Sequence, residues 1–192
     1  MTRQGEFVYG VEDTEFQEGS IWAVNPMGLK HGWIAWGDKD HGTDGQMLGE
    51  RLGPAAQPLF AEDQLPEVKG NWTKCVAIQM RCTNGDDEGT QVLFKTNSGG
   101  GRKAYAVLLT AIVAAINSGP EIVALVECLS DSYKHASYGK TFNPELKVTG
   151  WTTMDGESAP GQIESDAEET PEVEEDPEPT PAPEKKRRRK AA

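Results

Sequence analysis

The sequence predicts a mainly β domain with one α-helix, a small barrel or sandwich, followed by a disordered charged tail. Three observations carry this reading. Short runs bounded by Gly, Pro, Asn and Asp, several of them alternating, recur between residues 20 and 151. Only one stretch, 102–117, places apolar residues at sustained helical spacing. From Asp155 to Glu184 there are twelve acids and no Lys, Arg or aromatic residue, with prolines at 160, 171, 177, 179, 181 and 183. Such a segment buries too little apolar surface to offset its chain entropy.

The elements follow in order. Ser20–Val24 reads as a short strand stopped by Asn25-Pro26, and His31–Trp36 as a second one after a Met27-Gly28 turn, so the two suggest a hairpin. Asp38–Gly45 is a polar loop. The stretch 53–71, with Pro54, Pro58, Pro66 and Gly70, reads as irregular. Lys74–Arg81 alternates, with Val76, Ile78 and Met80 on one face; a turn at Asn84–Gly89 returns it through Gln91–Thr96. Ser98 is placed to cap a helix over Arg102–Asn117, and Ser118-Gly119-Pro120 to stop it. Ile122–Leu129 is a buried strand, Asp131–Tyr138 a polar connection, and Leu146–Trp151 the last strand.

The organisation is therefore a β-rich domain over 1–154, an acidic Pro-rich tail over 155–184 and a basic tip over 185–192. The net charge of −12 divides unevenly: residues 1–89 are acidic, residues 90–154 carry a net +2, and the tip holds Lys185, Lys186, Arg187, Arg188, Arg189 and Lys190 in a row. Overall acidity does not exclude nucleic-acid binding, because a phosphate feels the local field. Cys75, Cys82 and Cys128 are odd in number and lack CxxC spacing, which argues for free thiols in a reducing compartment. The first residues hold no apolar core of a signal peptide, and the apolar stretch 104–116 is short for a bilayer. A cytoplasmic protein with no membrane partner is expected.

Two motifs bear on chemistry. The run Ser98-Gly99-Gly100-Gly101-Arg102-Lys103 opens a helix, where backbone N–H groups and two cations face an anion; it also reads as a plain connector. It lacks Walker A spacing. Tyr133, Lys134, Tyr138, Lys140 and Phe142 interleave rings with cations, the pattern that grips single-stranded nucleic acid by stacking and phosphate contact, or that covers a core edge. Lys95 extends the basic strip. Of Trp33 and Trp36, an odd number apart, one faces the core and the other is free to stack; Trp22, Trp72 and Trp151 read as core or core rim. Asp38–Gly45 fails the EF-hand template, the histidines lack ligand spacing, and no nucleophile motif is present. No catalytic residue, metal or cofactor is expected.

On the β-rich domain, the aromatic-basic stretch and the acidic tail, the chain resembles bacteriophage single-stranded-DNA-binding proteins with an OB-type barrel. The resemblance implies a sequence-tolerant, non-catalytic grip on single-stranded DNA in replication or recombination, in the host cytoplasm. It also implies a tail that competes for the groove and recruits replication or recombination proteins. The chain departs from that family by ending in six cations and two alanines. On this reading Lys95, Arg102, Lys103, Lys134 and Lys140 meet phosphates, while Tyr133, Tyr138, Phe142 and Trp33 or Trp36 stack bases. The alternative is a protein-interaction or virion-associated module with a charged tether, and a weaker one a nucleotide-handling hydrolase. Self-association is left open.

Overall fold

The structure, a computed structural model, describes residues 1–2, 4–119, 122–135 and 139–154. The acidic tail, the basic tip Lys185–Lys190 and Tyr138 lie outside the described residues. The elements are β1 (Val8–Tyr9), β2 (Thr14–Glu15), β3 (Ile21–Gly37), β4 (Met47–Pro54), a 3-10 turn (Glu62–Gln64), β5 (Gly70–Cys82), β6 (Gln91–Thr96), α1 (Gly99–Ser118), β7 (Ile122–His135) and β8 (Gly139–Thr153). The domain is mainly β with one helix. Its main sheet runs β6-β5-β3-β7-β8, with β4 also paired to β3, and is open: β6 and β8 end that path, and β4 is a third edge.

The axis of the sheet is β3. The sequence reads 20–24 and 31–36 as two strands of a hairpin; they are instead the two halves of one 17-residue strand. Asn25-Pro26 and Gly28 do not turn the chain back but form an irregularity in the register with β5 between Val24 and Leu29. A proline has no N–H for the ladder, so a bulge accommodates it without a reversal. Beyond the bulge, β4 pairs with β3 from Lys30↔Pro54 to Trp36↔Met47, a strand that the predicted irregular stretch entered only at its end. Before the bulge, the same side of β3 pairs with β7, Ile21↔Glu127 to Val24↔Ala124. The predicted 74–81/91–96 hairpin is β5 and β6, in register from Val76↔Thr96 to Arg81↔Gln91.

Period-two alternation divides the residues. One face of β3, β5, β6, β7 and β8 supplies Trp22, Val24, Leu29, Ile78, Met80, Phe94, Val126 and Leu146 to the core. Against them α1 sets Tyr105, Leu108 and Ile112, spaced to fall on one side of a helix. Burying each large side chain of this kind is worth about 1.5–3 kcal/mol. At 20 residues α1 exceeds the apolar stretch 104–116 and is long and apolar enough to cross a bilayer by length and composition, yet this stripe of it is built into the core. It packs chiefly along β8, flanking that edge strand.

The N-terminal segment spans the opening between the two sheet edges. Phe7 is buried in ring contact with Phe94 of β6, and Phe16 stacks on Trp22 with centroids 4.1 Å apart. Gly5, at φ +94°, lies against the Phe142 ring of β8, where a Cβ would collide with it. The irregular segment 55–69 covers the far half of β3: Trp33 Nε1 donates to the Phe60 carbonyl at 2.8 Å and Trp72 Nε1 to that of Pro66 at 2.9 Å.

Candidate nucleic-acid interface

The predicted polar connection 131–138 is not a loop joining two short strands. β7 and β8 remain paired to His135↔Gly139, eight residues past the last β3 partner on β7, Glu127, so their far halves form a two-stranded arm leaving the sheet. Gly139, at φ +72°, opens β8 in the left-handed region that glycine tolerates.

Register fixes what the arm presents. Lys134 stands directly opposite Lys140, and Ser132 opposite Phe142, so these residues share one face. Tyr133, opposite Thr141, is on the other face and is 41 % exposed. Lys134 and Lys140 are both exposed, and neither has an ion-pair partner among the described residues. The Lys140 ammonium lies 4.8 Å from the centroid of the half-buried Phe142 ring, a cation–π contact. Like charges directly opposite on paired strands are destabilising.

The helix start meets the base of this arm. Ser98 caps α1 as its sequence position indicates: Oγ accepts from Gly101 N at 3.0 Å and the Ser98 carbonyl from Arg102 N at 3.0 Å. Gly100 sits against the Asn143 amide, and a Cβ there would collide with it. Asn143 pairs with Asp131, three positions from the Lys134–Lys140 rung. The Gly-rich helix start thus touches the base of the arm at Asn143, which shares the arm's Tyr133 face and not that of Lys134 and Lys140. Exposed Arg102 and Lys103 follow in the first turn of α1, which holds no acid.

The other predicted residues are elsewhere. Lys95 Nζ is 2.6 Å from Glu50 Oε1, an ion pair on the outer face of the sheet. Trp33 and Trp36 lie on the far half of β3, at the other end from the β7 pairing. Trp33 is buried beneath segment 55–69, whereas Trp36 is 39 % exposed next to exposed Met47.

Sequence reasoning missed two features. Asn143 carries no local signal, since its role is a contact across 43 residues. The second is an outer-face groove of about 1210 Å³ lined by Ala23, Gln79, Arg81, Leu93, Leu125 and Met154 among others. Alternation in β5, which puts Gln79 and Arg81 on the face away from Ile78 and Met80, was the available signal. All three cysteines are free; burial raises the Cys75 thiol and pushes that of Cys128 up to about 12. In the loop 38–45, Asp38 accepts from His41 Nδ1 at 2.7 Å, which holds its carboxyl below the usual range. No protein-family model, curated protein or solved structure matches the chain.

Proposed function

We propose that this chain binds single-stranded DNA with little sequence preference and without catalysis, in phage-type replication or recombination. The observation that carries the proposal is the cross-strand Lys134–Lys140 pair on an arm that also bears Tyr133 and Phe142. Two cations facing each other, with no ion-pair partner among the described residues, cost stability unless an anion lies across them, and an extended polyanion supplies one at every phosphate. Arg102 and Lys103 add two cations in the first turn of the helix whose Gly100 touches Asn143, at the base of the arm on its Tyr133 face. Tyr133 offers a ring for a base, and the Phe142 ring lies under the Lys140 ammonium.

Connectivity supports the OB-type form of this reading. Leaving out β4, the strands follow β3-β5-β6, then α1, then β7-β8; β3 pairs with β5 on one side and β7 on the other. An OB fold is a five-stranded, partly open Greek-key barrel that holds oligonucleotides with its second and third strands and its first and last hairpin connections. The arm is the last of those connections, and Phe7 and Gly5 occupy the gap between the outer strands.

The test is titration of the full chain with oligo-dT at several salt concentrations, beside a Lys134→Ala, Lys140→Ala variant. The variant should bind more weakly, and its log–log salt slope should be shallower by about 1.4, from roughly 0.7 per phosphate contact on a single strand. A flat salt response, or a variant indistinguishable from the parent, would sink the proposal.

The alternative, a protein-interaction or virion-associated module, draws on the outer-face groove, whose mixed lining of Leu93, Leu125, Gln79 and Arg81 suits an extended peptide. A stoichiometric protein partner co-purifying without nucleic-acid absorbance would favour it.

A further inference from the structure

From Ala104 to Ser118 α1 carries no charged residue. Gly101, Tyr105, Leu108 and Ile112 are its buried stripe. The opposite side is centred on Thr110 and presents Ala106, Val107, Val113 and Ala114 to solvent, with Val107 at 61 % and Val113 at 48 % exposure. A surface helix ordinarily puts charged and polar residues there.

This face reads the same in both directions about Thr110: valine stands three residues before and after it, and alanine four before and after. We propose that it is the contact surface for a second copy of this chain, with the two helices antiparallel across a two-fold axis at Thr110. Such an axis sets a residue three before Thr110 beside the one four after it in the second helix, since these share a flank of the stripe and nearly a height. Val107 then shares a flank with Ala114 of the second copy, Ala106 with Val113, and the alanines allow close approach of the two helices.

Charge complementarity favours this occupant. Arg102 and Lys103 stand in the first turn of α1, where cations oppose the helix's own dipole and which holds no acid of its own. In the antiparallel pair Lys103 lies opposite Asn117 of the second copy, at the carbonyl end of that helix, where a cation is favourable. The stripe 103–117 is about 21 Å long, which places the dimer in the weak, concentration-dependent class. Its test needs no DNA, although Lys103 is shared with the proposed phosphate track.

Disulfide trapping of the full chain tests it, with sedimentation velocity over a concentration series. Cys75 and Cys82 are buried and Cys128 is half-buried, so the parent chain sets the background. Thr110→Cys sits on the axis and should give a disulfide dimer under mild oxidation. Val107→Cys alone should not, because its counterpart is displaced by about 9 Å along the axis, whereas Val107→Cys mixed with Ala114→Cys should. An Ala106→Glu, Ala114→Glu variant should lose the concentration-dependent dimer while circular dichroism confirms an unchanged fold. The proposal is overturned if Thr110→Cys traps no more dimer than Val107→Cys. It is equally overturned if a dimer survives the two glutamates, or if the face instead holds the parent chain on lipid vesicles.

Discussion

Lys95 and Glu50 meet at 2.6 Å although their strands, β6 and β4, are separated in the sheet by β5 and β3. The far half of the sheet is curled enough for one ion pair to reach across its outer face, over Cys75, whose thiol feels both charges. Lys95 is therefore committed to Glu50, whereas Lys134 and Lys140 have no ion-pair partner among the described residues. Partly exposed pairs of this kind are worth about 0.2–1 kcal/mol. Lys95→Ala should lower stability by no more than that and leave oligo-dT affinity close to the parent's. A loss of affinity matching that of Lys140→Ala would show that the pair opens to DNA.

The two tryptophans on β3 should separate cleanly. Trp33 is buried with its indole N–H bonded to the half-buried Phe60 carbonyl, so Trp33→Ala removes packing and that hydrogen bond together. A loss of about 3–5 kcal/mol in urea unfolding is expected. Trp36→Ala, at an exposed rim, should cost well under half of that. Comparable losses at both sites would contradict the burial of Trp33 beneath segment 55–69.

What the sequence made legible was local. The β5–β6 hairpin follows from alternation in Lys74–Arg81 and a Gly-rich turn, and α1 with its Ser98 cap follows from periodicity and capping chemistry. The single strand β3 was hidden because Asn25-Pro26 and Gly28 give the same signal for a bulge as for a turn. The arm was hidden because Asp131–Lys134 is polar on both faces once it leaves the sheet, so burial imposes no alternation on it. Of the candidate site, the residue types in the two motifs could be read, but their meeting could not. The Gly100–Asn143 and Lys95–Glu50 contacts depend on sheet curvature and helix placement, which no window of sequence encodes.

Alkali should weaken the fold in a defined window. Burial pushes the Tyr105 hydroxyl from 10.0 to about 12 and the Cys128 thiol from 9.0 to about 12. Between those values the unfolded chain has released protons that the folded chain still holds, so stability falls as pH rises. It is unaffected by these groups below about pH 9 and declines from there toward pH 12, by about 1.4 kcal/mol per pH unit for each group while only the unfolded form ionises. The Tyr105 hydroxyl is also buried without a partner among the described residues. Tyr105→Phe should thus raise stability near neutral pH by about 1 kcal/mol and flatten the upper part of the decline. Urea midpoints at several pH values decide both points; destabilisation by Tyr105→Phe would show that the hydroxyl has a partner after all.

The contact of Gly100 with Asn143 gives the sharpest test of whether helix start and arm act as one site. Alanine at position 100 is no burden to helix formation, being better than glycine by about 0.8–1.0 kcal/mol in a helix interior. Its Cβ, however, has no room beside the Asn143 amide. Gly100→Ala should therefore destabilise the domain despite the gain in propensity, and should shift Asn143 and Asp131 away from the first turn of α1. If phosphates are tracked jointly by Arg102, Lys103, Lys134 and Lys140, the variant should also bind oligo-dT more weakly with no cation removed. The Gly100→Ala, Asn143→Ala double variant frees that space and should recover stability, and with it binding. Weak binding that persists in the stable double variant would assign the loss to the Asn143 amide itself. Undiminished binding in Gly100→Ala, with the arm displaced, would mean that the arm and the helix start engage DNA separately.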